Sequence, residues 1–397
     1  MTLPSWQKKV HSPICISKET ENSGNTKPKR NTVKRYNNLF EKIWNKKNIY
    51  DAHMAARKHK TRRKPIINFD NNLSSQINKI SMLIKNKEYK VSKYKIDSRV
   101  ESGKLRTIYK LPYAPDRVIH HAVMQIIEPI LSKTYIKDTY QSIKGRGVHK
   151  AKKRLEPILK DKENCKYCLK IDIKKFYPNV DNEILKCLLR KKIKCKDTLE
   201  LLDVMIDSTK GLPIGNYTSQ TFGNFYLSYF DHYVKEDLKV KRYMRYADDM
   251  IFLSNSKRKL HKIKEQVIKY LKDNLNLELK ANHQIFPTFV RGIDYLGFRF
   301  FDGFTLIRKS IKKSIVKLLK AKVNLTNLRR YASYFGWLKI TNSYNLMRKH
   351  ISDEVVFKYE KICRFLKIKN PFSKIKIIQK KTINEFGCYQ PNLLNFI

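Results

Sequence analysis

The chain has 397 residues, 41% hydrophobic and 11% aromatic. That is enough to bury a substantial core in two or three lobes, and it excludes a wholly disordered protein. Its 85 Lys and Arg against 35 Asp and Glu give a formal net charge of +50, spread along the whole chain. Such a field favours a polyanion, with nucleic acid first, over the blander reading of a solvated lysine surface. No apolar run is long enough to span a bilayer and no secretory signal is visible, so no membrane partner is expected; seven irregularly spaced cysteines read as thiols of a cytoplasmic protein.

Residues 1–35 are polar and basic without apolar periodicity and read as a flexible arm. A basic helical stretch follows from Tyr36, with Leu39, Ile43, Ile49 and Tyr50 as its buried stripe and "RKHKTRRK" as a phosphate-contacting patch or a solvated face. Strands are expected in "YKVSKYKID" from Tyr89 and in "GKLRTIYKLPYA", then a helix from near Asp116. The adjacent His120 and His121 point to different faces of that helix, so they read as structural and not as a chelating pair. Cys165 and Cys168 lack a second pair at finger spacing, and Cys168 reads as a small apolar residue leading into a strand.

In "CLKIDIKKFYPNV" the residues alternate. Leu169, Ile171 and Ile173 share one face and Lys170, Asp172 and Lys174 the other, which predicts a half-buried strand presenting Asp172. Phe222, Phe225, Tyr226, Tyr229, Phe230 and Tyr233 follow helical spacing and predict one helix with an aromatic core face. Ser219 and Gly223 lie on another face without bulk, where something approaches closely; Gly215 and Asn216 suit a turn and a cap. In "RYADDMIFLS", strands over Tyr243–Ala247 and Met250–Leu253 place Asp248 and Asp249 at a hairpin tip. If this hairpin neighbours the Asp172 strand, three carboxylates converge. Such a cluster calls for hard divalent cations, and two of them about 3.5–4 Å apart serve nucleotidyl transfer.

Several segments together resemble reverse transcriptases: "DIKKFYPNV", "LPIGNYTSQ" and "YADD" resemble motifs A, B and C, "DYLGF" the primer grip, and "GKLRTIYKLPYAPDRVIHHAV" the fingers segment. The resemblance runs over residues 36–365. It implies an α+β right-hand polymerase whose palm is a small antiparallel sheet backed by helices, with fingers over 36–165, palm over 166–303, a helical thumb over 304–368 and an extension over 369–397. By that similarity Asp172, Asp248 and Asp249 would be catalytic and, with Ile173, would hold two Mg²⁺ ions, with Mn²⁺ as a substitute. Lys104, Arg106, Phe176, Tyr177, Ile214 and Gly215 would bind the dNTP, Tyr177 as steric gate against a 2′-hydroxyl and Gly215 letting the backbone approach the nascent pair. Arg117, Ser219, Gln220, Tyr246 and Gly297 would contact nucleic acid.

The IGxxxSQ form from Ile214 to Gln220 resembles the reverse transcriptases of diversity-generating retroelements. Those enzymes copy a template RNA into cDNA with errors opposite adenine and work with a small basic accessory protein. The resemblance therefore implies a template RNA, a primer, dNTPs and such a protein as partners, in a prokaryotic or phage-encoded enzyme. A bacterial antiphage-defence enzyme and a group II intron-like one are the alternatives, retron enzymes fitting less well by motif. Where many members carry a motif D lysine, alignment puts His283, with Lys280 nearby. The N-terminal arm and the C-terminal extension have no counterpart in the family pattern.

Overall fold

The computed structural model describes residues 34–101, 103–321 and 324–350, and residues 357, 360, 361 and 364 beyond them. The expected arm, apart from residues 34 and 35, and the 369–397 extension lie outside the described residues. The chain forms two compact units: residues up to 151 with Tyr167–Ile285, and Lys152–Lys166 with Phe286 onward.

The first unit opens with α1 (Phe40–Trp44), α2 (Lys46–Arg57), α3 (Lys64–Asn71) and α4 (Leu73–Lys85). The single basic helix expected from residue 36 breaks at Asn45, whose side chain accepts the Lys47 N–H and caps α2. Leu39, Ile43 and Ile49 are buried as expected, but Tyr50 is 40% exposed. The stripe of α2 instead continues from Ile49 through Ala52, His53 and Ala56, three, four and seven residues on.

Strands β1 (Lys95–Glu101) and β2 (Lys104–Lys110) form an antiparallel hairpin. Extended structure begins at Lys95 and not at Tyr89, because the Tyr89 hydroxyl and the Ser92 N–H both donate to the Asp116 carboxylate and hold that segment in a loop. A π-helical turn over Tyr113–Arg117 leads into α5 (Val118–Leu131); α6 (Val148–Leu159) begins here, but from Lys152 on it belongs to the second unit.

The remaining elements of this unit are β3 (Tyr167–Asp172), α7 (Phe176–Asn179), α8 (Asn182–Arg190), α9 (Lys196–Ile206), α10 (Tyr217–Tyr226), α11 (Ser228–His232), β4 (Tyr243–Tyr246), β5 (Asp249–Ser254) and α12 (Lys257–Leu275). With β6 (Gln284–Pro287) they give a four-stranded sheet in the order β4-β5-β3-β6, with α12 packed on β3 and β5. β5 is buried at every residue from Met250 to Ser254, as a central strand must be. The aromatic helix expected over Phe222–Tyr233 is interrupted at Leu227 into α10, α11 and a π-helical turn. Its Phe222, Phe225, Tyr226 and Phe230 are core residues, and Tyr229 and Tyr233 sit at the core's margin.

The second unit carries α13 (Thr288–Arg291), a meander of β7 (Ile293–Tyr295), β8 (Phe298–Phe300) and β9 (Thr305–Ile307), and helices α14 (Lys309–Leu319), α15 (Leu325–Leu338) and α16 (Tyr344–His350). Its core is built on Ile315, Leu318, Tyr331, Phe335, Leu338 and Met347. The fold class is thus α+β, small antiparallel sheets backed by helices. Cys165, Cys168 and Cys195 are buried thiols, whereas Cys187 is disulfide-bonded, against the expectation of thiols throughout. No described helix is long and apolar enough to cross a membrane.

Candidate active site

The alternation in β3 is realised: Leu169 and Ile171 are buried, while Lys170 and Asp172 are half-buried on the opposite face. Tyr246 of β4 pairs with Asp249 of β5, and Asp249 pairs with Asp172 of β3, so the three form one row across the sheet. The hairpin tip therefore falls one residue earlier than expected. Ala247 and Asp248 make the turn, Ala247 in left-handed backbone at φ 54°, and Asp249 belongs to the strand.

The Asp248 carbonyl accepts the Ile173 N–H at 3.3 Å. The Asp172 charge bears on the Asp248 carboxyl and disfavours its ionised form. Burial first, then the charge of Asp172, push Asp248 up to about 6 against the pull of Lys280. Burial pushes Asp249 up to about 7 against the pull of Lys170, whose Nζ lies 3.5 Å from its Oδ2. Beyond Asp172, the Lys280 ammonium donates to its Oδ1 and the Lys280 N–H to its carbonyl. It is Lys280, not the aligned His283, that reaches the acids; His283 Nδ1 stands 3.2 Å from the Lys280 carbonyl.

Among the described residues no three His, Cys, Asp or Glu side chains are gathered into a ready-made metal site. The expected three-carboxylate cluster is a close pair, Asp172 with Asp248, and a third acid beside Lys170. The donors are all oxygen and carry more acid than the two lysines match, a set that fits a hard divalent ion. Asp172, Asp248 and Asp249 would hold it, with Ile173 bonded to the same turn.

On the other face of the same hairpin lies a network that sequence reasoning missed. Arg245 and Asp231 have side chains 0% exposed. The guanidinium donates to both Asp231 oxygens at 2.7 and 2.6 Å and to the Ala247 carbonyl of the turn at 3.1 Å. Asp231 also accepts from Tyr243 at 2.7 Å and Thr139 at 3.0 Å. Burial works against the Arg245 charge, and Asp231 more than offsets it, holding the guanidinium above its ordinary value. The sequence signal was a polar Arg where the strand's core face requires an apolar residue.

A cavity of about 470 Å³ gathers many of the residues expected at the nucleotide. Arg106, Tyr177, Ile214 and Gly215 line it, as do Arg117, Ser219 and Gln220. Tyr177 connects it to the acids: burial, then the Asp248 charge, push its phenol up to about 12. Gly223 is the close-approach point anticipated on α10, for a side chain there would meet the Phe176 ring at 3.2 Å and the Tyr177 ring at 3.4 Å. Gly215, at φ +118°, lets the backbone of β2 come close: a Cβ would stand 2.4 Å from the Tyr109 carbonyl oxygen. Beside it the Tyr109 N–H donates to the Ile214 carbonyl at 2.8 Å. Asn216 stands at the N-cap of α10 but makes no cap bond; its amide reaches the Tyr94 hydroxyl at 2.8 Å.

Other expected residues stand elsewhere. Lys104 opens β2, but its side chain is not among the described ones. Phe176 is buried beneath Tyr177, and the Ser219 hydroxyl is spent on the Pro213 carbonyl at 2.7 Å. Gly297 lies in the second unit, in a turn with Leu296, both at positive φ, where a Cβ would meet the Trp337 ring at 2.7 Å. Lys60 and Arg63 of the "RKHKTRRK" patch line a neighbouring cavity of about 500 Å³ with Arg99, Lys110 and Arg117.

The family described as "Reverse transcriptase (RNA-dependent DNA polymerase)" matches residues 84–300, more than half of the chain. Protein YkfC of Escherichia coli K12 is 23% identical over 253 residues, covering 52% of this chain and 65% of that protein. The Retron Ec73 reverse transcriptase of E. coli is 29% identical over 180 residues, covering 41% of this chain and 54% of that protein. The chain thus covers less than two thirds of the length of either relative. Among solved structures, telomerase from Candida albicans with a telomeric RNA fragment is similar at TM-score 0.44 and 12% identity, over 80% of this chain and 66% of that one. Apo telomerase from Candida tropicalis is similar at TM-score 0.44 and 13% identity, over 81% and 73%. The chain belongs to the reverse transcriptase family.

Proposed function

We propose that this chain is an RNA-directed DNA polymerase that extends a primer with dNTPs along a template RNA, in a right-hand fold with fingers over 36–165, palm over 166–303 and thumb over 304–368. The single observation that carries the reading is the row of Tyr246, Asp249 and Asp172, with Asp248 in the adjoining turn, where its charge is felt by Asp172 and by Tyr177 in the cavity wall. Two Mg²⁺ ions, or Mn²⁺ in their place, bound by Asp172, Asp248 and Asp249 beside Ile173 would activate the primer hydroxyl and stabilise departing pyrophosphate.

The chain's own side chains divide the remaining work. Lys104 and Arg106 hold the triphosphate, the guanidinium fork matching phosphate oxygens. Tyr177, propped by Phe176 and the bare Gly223, excludes a 2′-hydroxyl on the incoming sugar. Ile214 and Gly215 bound the nascent pair, Arg117, Gln220 and Tyr246 position nucleic acid, and Ser219 and Gly297 fix the backbone of nucleic-acid-contacting turns. The test is primer extension on RNA with Mg²⁺ and dNTPs: wild type extends, Asp248→Ala does not, and equal activity would overturn the reading.

Within this activity we favour the diversity-generating retroelement type, with a small basic accessory protein, in a prokaryotic or phage-encoded cytoplasmic enzyme. Its support is the IGxxxSQ run, in which Ile214 puts an alkyl group on the cavity wall where an amide could otherwise bond a base. Ile214→Gln is expected to change misincorporation opposite template adenine, and an unaltered error spectrum in sequenced cDNA would count against it. A retron-type enzyme is the second reading, favoured by the 29% identity to the Retron Ec73 enzyme. Under it wild-type cDNA carries no excess of errors at adenine.

A further inference from the structure

His120 is 2% exposed, its Nε2 is buried without a hydrogen-bond partner, and it lines the 470 Å³ cavity. A partnerless buried ring nitrogen is costly unless something else satisfies it. Arg117, one turn earlier on the same side of the helix, lines the same cavity, as does Lys60. The next residue, His121, stacks on Tyr217 with ring centroids 4.0 Å apart and planes 10° apart, and Tyr217 remains 44% exposed. Cations, a stacked aromatic pair and one unsatisfied neutral polar atom are the elements that recognise a nucleotide in a single strand.

We propose that His120 contacts the 2′-hydroxyl of a template ribonucleotide seated in this cavity, with Arg117 and Lys60 on its phosphates and the His121–Tyr217 pair stacking its base. This rests on the polymerase reading above. A hydroxyl both donates and accepts, so it can satisfy a neutral imidazole nitrogen in either tautomer, whereas the two cations already suit phosphate. Burial, with Arg117 and His121 beside it and against the pull of Asp116, lowers His120 to about 4, so the ring is neutral at working pH. Incoming deoxynucleotides lack the 2′-hydroxyl, whereas every nucleotide of an RNA template offers it. His120 is then a determinant of RNA over DNA as template. Asp116 Oδ2, one turn before, is also buried without a partner, and an internal bridge between the two is the competing use of Nε2.

The test measures affinity of the full chain for primer–template hybrids in which single template riboses, from the primer end to about three nucleotides beyond, are replaced by 2′-deoxyribose. One position is expected to weaken binding about fivefold, the worth of one hydrogen bond. That loss should vanish in His120→Phe and persist in His120→Gln, which keeps a donor and an acceptor. A flat scan in wild type would overturn the proposal without any variant. So would a position-specific loss that His120→Phe retains, or a His120→Phe that weakens RNA and deoxy-substituted templates alike, as an internal bridge to Asp116 predicts. If the chain binds hybrids but extends no primer, the polymerase reading falls while the deoxy scan still decides the contact.

Discussion

The two faces of the Tyr243–Ser254 hairpin handle charge in opposite ways. On the inner face, Arg245 and Asp231 are wholly buried and fully matched, with Tyr243, Thr139 and the Ala247 carbonyl completing their bonds. On the outer face, Asp172, Asp248 and Asp249 crowd together beside Lys280 and Lys170, and burial first, then the neighbouring acids, drives two of them up to about 6 and 7. The first arrangement over-determines one geometry; the second stores repulsion that a divalent cation would relieve. A turn holding Ala247 at positive φ persists because the inner network grips its carbonyl, and Asp248 sits on that turn with Asp249 next to it at the start of β5. Rigid charge on one side thus supports poised charge on the other.

Breaking the inner face should cost most. Asp231→Ala leaves the Arg245 guanidinium buried without its counter-charge, and urea denaturation should show a loss of about 3–5 kcal/mol. The double variant Arg245→Met with Asp231→Leu should lose distinctly less, because it removes both charges. If the two lose equally, the network is not the support described.

Relieving the outer face should have the opposite sign. The Asp249 carboxyl titrates near 3.8 when unfolded and near 7 when folded, so the folded chain holds its proton more tightly. Stability from this group is full below about pH 4 and is lost as pH rises to about 7. Asp249→Asn should therefore stabilise the metal-free chain by about 1–3 kcal/mol at pH 7.5 in EDTA, with little change at pH 4. No gain at pH 7.5 would contradict the repulsion. Lys170→Met should act more weakly, by less than about 1 kcal/mol, and should move the pH-dependent loss to higher pH, since Asp249 loses an attracting charge.

The outer face was legible in the sequence because its signals are local. Alternation in β3 predicts which side Asp172 takes, and the helical spacing of the aromatics from Phe222 predicts the core side of α10 and α11. The tip was misread by one residue because Ala247 adopts left-handed backbone without a Gly or Asn to announce it. The inner face was illegible because the partner of Arg245 comes from a separate element and only the fold joins them. His120 looked like an ordinary core histidine for the same reason: its unsatisfied nitrogen appears only once its neighbours are in place. The break at Asn45 and the exposure of Tyr50 likewise depend on α2 starting afresh, which resets the helical phase.

The polymerase proposal places RNA-templated DNA synthesis on the crowded outer face. Primer extension on an RNA template with dNTPs and Mg²⁺, comparing wild type with Asp248→Asn and paired with thermal melting of both proteins, decides it. Extension should fall about a thousandfold or more in the variant, the scale expected when a metal-holding carboxylate is lost, while its melting temperature in EDTA is no lower than that of wild type. Equal extension by the two proteins, or none by wild type on any RNA template, would contradict it.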